Sequence, residues 1–143
     1  MLIAHVLRDK GGAVYTLAAE ASLLEAAEAL ASKRVGAVVV TDENDAPVGV
    51  FSERDMIREI AEHGAASLTR SVGDCMSRHI VTAAPEESID EGLARMTDRR
   101  IRHLPVTEGG RLIGIVSIGD LVKMRIMAVE AEAAAMQAYI AAG

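Results

Sequence analysis

Aromatic residues are almost absent from this 143-residue chain, which contains Tyr15, Phe51 and Tyr139 and has no tryptophan. Half of its residues are nevertheless apolar, so its core must be built from Val, Ile, Leu, Met and Ala. A chain of this length and apolar content is typical of one folded domain, because disordered segments have too few apolar residues to form a core.

Cysteine is equally scarce, and the single Cys75 excludes a disulfide framework and favours a reducing compartment. The net charge of −6, with acids and bases interspersed, argues against nucleic acid or an anionic membrane as the main partner. The sequence shows no signal-peptide pattern and no apolar run near the ~20 residues of a membrane span. We therefore expect a cytoplasmic protein that binds neither nucleic acid nor a membrane.

What the chain does contain is an internal duplication. The segment 48–55, Val-Gly-Val-Phe-Ser-Glu-Arg-Asp, returns at 113–120 as Ile-Gly-Ile-Val-Ser-Ile-Gly-Asp. Upstream, eight residues recur at one constant step: Thr16, Ala18, Glu20, Ser22, Glu25, Arg34, Val40 and Thr41 match Thr82, Ala84, Glu86, Ser88, Glu91, Arg100, Val106 and Thr107. Two repeats, 1–63 and 64–127, are predicted to form one module with pseudo-twofold symmetry, followed by an extension over 128–143.

Each repeat is predicted to fold as β-α-β-β-α, which gives an α/β (α+β) fold class. The first repeat predicts strands over 13–17, 35–41 and 48–51, a helix over 23–33 and a second helix from Ser52. The second predicts strands over 80–83, 101–107 and 112–116, a helix over 89–99 and another from Ser117. The pairs Ser22/Glu25 and Ser88/Glu91 predict capping boxes, and residues 64–70 connect the repeats.

The last helix is predicted to run from about residue 119 to 140, longer than its counterpart in the first repeat. Along it, apolar residues recur at alternating steps of four and three: Val122, Ile126, Val129, Ala133, Met136 and Ile140. This a/d spacing over about three heptads is typical of a coiled coil. An amphipathic helix that packs on its own domain is the alternative. The alanine-rich stretch 130–143 extends past the repeat, which favours a contact between subunits.

The motif Gly-x-x-Ser-x-x-Asp occurs in both repeats, over 49–55 and 114–120. Ser and Asp in this spacing cap a helix, and that role alone accounts for their presence. The alternative is a ribose phosphate site without catalytic groups. There the glycine lets a ligand approach the backbone, the helix start attracts phosphate, and the Asp accepts the ribose hydroxyls. Because both repeats keep all three residues, we favour the ligand site.

Two such units, with Arg102-His103-Leu-Pro-Val106 before the last hairpin, resemble a tandem pair of cystathionine-β-synthase (CBS) domains over about residues 1–127. The segments Lys10-Gly11-Gly12 and Asp74-Cys75-Met76 also resemble the lead-in segments of that family. The resemblance implies a stand-alone Bateman module, a disc with two clefts. Such modules bind AMP, ADP, ATP, S-adenosylmethionine or NAD(H) and pass the occupancy to a partner.

Carried onto this sequence, the resemblance implies two composite nucleotide sites. The first comprises Lys10, Tyr15, Val35, Gly36, Arg102, His103, Ser117, Gly119 and Asp120. The second comprises Ser52, Arg54, Asp55, Met76, His79 and Ile80. We expect the first to be the better anion binder, because Arg102, His103 and Lys10 can converge there. Arg54 either serves phosphate in the second or pairs with Glu53 or Glu59. His103 either contacts phosphate, which makes binding pH-dependent, or packs at a strand start.

No pattern of nucleophile, base or metal ligands is present in the sequence, so we expect no catalytic residue, no metal and no obligatory cofactor. Cys75 is expected to pack as a small apolar residue. The favoured function is an adenosine-ligand sensor. It is expected to dimerise through its disc faces and C-terminal helix and to signal to a separate effector protein. A ligand-free dimerisation module and an enzyme such as a nucleotide hydrolase are the alternatives.

Overall fold

The computed structural model describes residues 1–11 and 14–143, and in these it contains six α-helices, five strands and one 3-10 helix. The first half has α1 (Ile3–Lys10), β1 (Thr16–Ala18), α2 (Leu23–Lys33), β2 (Ala37–Thr41), β3 (Pro47–Ser52) and α3 (Glu53–His63). A 3-10 helix (Gly64–Thr69) leads to α4 (Val72–Cys75), α5 (Ile89–Arg99), β4 (His103–Glu108), β5 (Arg111–Ser117) and α6 (Ile118–Ala142). The predicted α+β fold with a long last helix is confirmed. Ala13, in the predicted first strand, lies outside the described residues.

The two sheets have the same register, as duplication requires. Strand β1 pairs parallel to β2 with Leu17 opposite Val40, and β2 pairs antiparallel to β3. Strands β4 and β5 form the equivalent antiparallel hairpin. The predicted strand over 80–83 is wrong, because it is reduced to one parallel bridge from Ala83 to Val106. The reason is Pro105, which lacks the N–H that its counterpart Val39 donates to the carbonyl of Tyr15.

Helices α2 and α5 have the predicted bounds and matching ends. The hydroxyls of Ser22 and Ser88 each accept the backbone N–H three residues on. The Glu91 carboxylate also accepts the Ser88 N–H at 3.1 Å, which completes the predicted capping box there. At Ser22 the structure shows the hydrogen bond from the Glu25 N–H to the serine hydroxyl, without the return bond to the Glu25 carboxylate. Both helices end at an arginine in the left-handed region, Arg34 (φ 55°) and Arg100 (φ 54°).

Each repeat's core is completed by the segment that leads into the other repeat. Ile3 and Val6 of α1 are buried among second-repeat residues such as Leu104. Val72 and Met76, in and after α4, are buried with first-repeat residues that include Phe51. This exchange ties the two repeats into one unit. Helix α1 was not predicted, although the apolar spacing of residues 3, 6 and 7 is helical.

Gly49 and Gly114 leave room for protein side chains. A Cβ atom on Gly49 would collide with the Met76 side chain, and one on Gly114 would collide with Leu7. The expectation that these two glycines give a ligand access to the backbone is therefore wrong, because the lead-in segments fill both spaces.

Helix α6 leaves the body of the protein after its first turns. Its buried residues are Leu121 and Met124, and every residue from Val129 to Gly143 is exposed. Exposed residues cannot pack on the helix's own repeat. The alternative of an amphipathic helix lying on its own domain is therefore wrong for the distal half of α6. None of the helices in the described part combines the length and apolarity needed to cross a bilayer.

Candidate functional site

The first Ser-x-x-Asp motif starts helix α3 and forms a full capping box. The Asp55 Oδ2 accepts the Ser52 backbone N–H at 2.8 Å and its hydroxyl at 3.1 Å, and the Ser52 Oγ accepts the Asp55 N–H at 3.3 Å. The second oxygen, Oδ1, accepts a longer hydrogen bond of 3.3 Å from Arg58. Arg58 is exposed and can move away. Asp55 therefore caps the helix with one oxygen and can accept ligand hydroxyls with the other.

The second motif has the same cap at α6 but a different partner. The Asp120 Oδ2 accepts the Ser117 N–H at 2.9 Å and the Lys10 ammonium at 2.8 Å. Lys10, the last residue of α1, also donates to the Ile115 carbonyl at 2.9 Å. Burial raises the pKa of Asp120, but the hydrogen bonds from Lys10 and Ser117 outweigh it and hold that pKa below its ordinary value. Lys10 thus neutralises Asp120 within the chain.

A cavity of about 470 Å³ lies between the repeats, within the size range of small-molecule sites. From the first repeat it is lined by Gly36, Val50, Ser52, Glu53, Arg54, Asp55 and Arg58. From the second it is lined by Ser77, His79, Val81, Arg100, Ile101, Arg102, His103, Pro105, Ser117 and Ile118. We call this cavity the central pocket.

The central pocket combines residues that the sequence-based prediction had assigned to two separate sites. It combines Gly36, Arg102, His103 and Ser117 of the first predicted site with Ser52, Arg54, Asp55 and His79 of the second. The starts of β2 and β4 meet here, since a Cβ atom on Gly36 would lie 3.2 Å from the His103 Nε2.

Backbone hydrogen bonds also tie each strand start to a helix start. The Gly36 carbonyl accepts the Glu53 N–H at 3.0 Å, and the Arg102 carbonyl accepts the Ile118 N–H at 2.8 Å. Residues predicted for separate clefts therefore lie around one junction.

The remaining predicted residues lie elsewhere. Tyr15 and Val35 pack on the first repeat's core, with the Lys33 Nζ 5.1 Å from the Tyr15 ring centroid. Met76 is buried against Gly49. Lys10, Ile80, Gly119 and Asp120 are not among the residues that line the central pocket. Gly12 and Ala13, which lie between the predicted site residues Lys10 and Tyr15, are outside the described residues.

The central pocket is rich in arginine. Among the described residues, Arg54, Arg100 and Arg102 have no carboxylate within 4.0 Å. The expected alternative for Arg54, a pair with Glu53 or Glu59, is not found, and Glu59 instead contacts Arg70 at 2.6 Å. Sequence reasoning missed Arg58 and Arg100. The signals were present, because Arg58 follows Asp55 by one helical turn and Arg100 lies between α5 and β4, three residues before His103.

His103 is half-buried at the start of β4 and lines the central pocket. Burial, together with the nearby charge of Lys10, lowers the pKa of His103, and Asp120 and Glu53 counteract this in part. The imidazole is therefore neutral at pH 7. It can exchange hydrogen bonds with a ligand there but adds no charge.

The described residues include no group of three His, Cys, Asp or Glu side chains placed to hold a metal ion. Cys75 is partly buried against the first repeat's core, and burial raises the pKa of its thiol. A thiol that resists ionisation is a weak nucleophile. The side chains that line the central pocket offer hydrogen bonds and charge to a ligand.

A family model described as the CBS domain matches this chain twice, over residues 12–62 and 72–126. The CBS domain-containing protein CBSX3, mitochondrial, of Arabidopsis thaliana is 34% identical over 99% of this chain and 72% of that protein. The crystal structure of ATU1752, a CBS-domain protein of Agrobacterium tumefaciens, is 43% identical with a TM-score of 0.83, covering 87% of this chain and 92% of that one.

A second similar structure contains ligands. The CBS domain pair of MJ0100, solved in complex with 5-methylthioadenosine and S-adenosylmethionine, has a TM-score of 0.78 over 87% of this chain and 94% of that one. At 23% sequence identity it shows a shared fold.

Proposed function

Because this chain belongs to the CBS-domain family, we propose that it is a regulatory module that binds an adenosine-containing ligand in the central pocket. The observation that carries the proposal is the convergence in that pocket of Ser52 and Asp55 from one repeat with the arginines and strand start of the other. The MJ0100 pair, which has the same fold and contains adenosyl compounds, supports it. AMP, ADP, ATP, S-adenosylmethionine and NAD(H) are the candidate ligands.

The pocket offers a surface for each part of such a ligand. The Asp55 Oδ1 accepts ribose hydroxyls, and Arg54 in the first turn of α3 lines the pocket and attracts phosphate. The aliphatic side chains of Val50, Val81 and Ile101 line the same cavity and provide an apolar contact for the purine. None of these contacts requires an aromatic residue, which suits a chain that has three aromatic residues. We propose a regulatory role without catalysis.

We further propose that the module is a homodimer and signals to a separate effector protein. The exposed apolar residues of α3, Ile57 and Ile60, and those along α6 support an assembly through the disc faces and the last helix. A ligand would act by binding one conformation of the dimer more tightly than another. We also propose a cytoplasmic location, with the two repeats spanning 1–63 and 64–127 and the extension spanning 128–143.

A ligand-free dimerisation module is the second candidate, and one observation favours it. Ser52 with Asp55 and Ser117 with Asp120 both form complete capping boxes, so folding alone explains these four residues. The two candidates differ in what they predict for the arginine side chains of the central pocket, none of which takes part in a capping box.

Thermal unfolding with AMP, ADP, ATP, S-adenosylmethionine and NADH tests the proposed function. A ligand at a hundred times its dissociation constant stabilises the folded state by about 2.7 kcal/mol, which raises the Tm by several degrees in a chain of this size. We expect such a shift with at least one compound. An unchanged Tm with every compound, for protein shown by mass spectrometry to carry no nucleotide, would favour the dimerisation module.

A further inference from the structure

Four arginines line the central pocket, namely Arg54, Arg58, Arg100 and Arg102, against two carboxylates, Glu53 and Asp55. His103 is neutral at pH 7, because burial and the nearby Lys10 lower its pKa. The pocket therefore has an excess of fixed positive charge, although the chain as a whole has a net charge of −6. Such a local reversal of charge attracts anions to one place on the surface.

Most of this charge is not neutralised within the protein. Among the described residues, Arg58 alone of the four lies within 4.0 Å of a carboxylate, that of Asp55. Two arginines outside the pocket are held by acids, Arg70 by Glu59 and Arg95 by Glu87, both at 2.6 Å. Guanidinium groups bind phosphate oxygens through paired, charge-assisted hydrogen bonds. Three unpaired guanidinium groups at one cavity fit a ligand with several phosphate charges.

We infer that the central pocket selects adenosine di- or triphosphate over adenosyl compounds that lack a phosphate chain. This inference rests on the proposed function and specifies its ligand. S-Adenosylmethionine has a positive sulfonium and a net positive charge at pH 7, so the arginines repel it. A single phosphate uses fewer of the guanidinium groups than a chain of two or three.

The internal duplication provides a matched control for this inference. Arg100 and Arg34 are equivalent residues, each ending a helix in the left-handed region, with φ values of 54° and 55°. Both are exposed, but Arg100 lines the central pocket and Arg34 is not among its lining residues. Arg100→Gln and Arg34→Gln remove the same charge from the same local backbone, so a general effect of charge or stability appears in both.

Isothermal titration calorimetry of the full chain with ATP, AMP and S-adenosylmethionine tests the inference. We expect ATP to bind at least about tenfold more tightly than S-adenosylmethionine, and Arg100→Gln to weaken ATP binding by about tenfold, the usual effect of a lost charged hydrogen bond. Arg34→Gln is expected to leave it unchanged. Added salt should weaken ATP binding, because it screens exposed charges.

Three outcomes would overturn the inference. Tighter binding of S-adenosylmethionine than of ATP would refute the charge selection and leave the proposed function standing. If Arg100→Gln and Arg34→Gln change the affinity for ATP equally, and Arg102→Gln leaves it unchanged, the pocket arginines do not bind phosphate. No heat or Tm change with any adenosyl compound would refute the proposed function, and the inference with it.

Discussion

Asp55→Asn is expected to weaken binding of the adenosine ligand by about tenfold or more, which corresponds to a loss of 1.5–3 kcal/mol for hydrogen bonds to a charged group. Asp55 lines the central pocket and its Oδ1 has exposed Arg58 as a hydrogen-bond partner, so a ligand hydroxyl can replace that contact. The fold should lose only about 0.3–1 kcal/mol, the value of an acid in a first helical turn. Calorimetric titration and urea unfolding measure the two effects separately.

Asp120→Asn is the matched control for Asp55→Asn. Asp120 has the same capping box but pairs with Lys10 and is not among the residues that line the central pocket. We expect the affinity of this variant to match that of the unmodified protein. Equal losses from the two variants would contradict the assignment of the ligand to the central pocket. A loss of several kcal/mol of stability in Asp55→Asn, with affinity unchanged, would make Asp55 a helix cap alone.

Ile126→Lys is expected to convert the proposed dimer to a monomer. Ile126 lies in the a/d series of α6 and is 53% exposed, so in one chain its side chain has no apolar cover. A charged side chain in the middle of a helix–helix contact is costly, because the ammonium must lose water without gaining a partner. Sedimentation velocity at micromolar protein gives the mass directly, and circular dichroism checks that the helix remains.

Met127→Lys is the control for Ile126→Lys. Met127 adjoins Ile126 and is 47% exposed, but it falls outside the a/d series. The Met127→Lys protein should stay dimeric. If both variants are dimers, α6 is not part of the interface. If the unmodified protein is already a monomer, the proposed homodimer is wrong.

The secondary structure could be predicted from the sequence wherever duplication and capping signals agree. Ser22 and Ser88 mark the starts of two helices whose observed bounds are the predicted ones. The prediction failed at residues 80–83, where apolar β-branched residues suggested a strand. The pairing there depends on the partner, since Pro105 cannot donate the hydrogen bond that a longer ladder needs. The strand propensity of one segment carries no information about the strand with which it must pair.

The candidate site could be predicted in its residue types but less well in its grouping. Arg102 and His103 were expected beside Asp120, and the charges of Asp120 and Lys10 do act on His103, but both residues also line the pocket that Asp55 lines. Asp120 instead binds Lys10, 110 residues earlier in the chain. Neither contact follows from local spacing, because each depends on how the lead-in segments cross between repeats. Helix α1 packs on the second repeat and brings Lys10 to Asp120.

The measurement that tests the central claim most directly is amide chemical-shift mapping of the isotope-labelled full chain as ATP is added. A ligand in the central pocket must perturb both repeats at once, with the largest changes at Gly36 and Asp55 from the first repeat and at Ile101 and His103 from the second. Changes confined to one repeat, or centred on Lys10 and Asp120, would contradict that location. Unchanged spectra with ATP would contradict the claim for this nucleotide altogether.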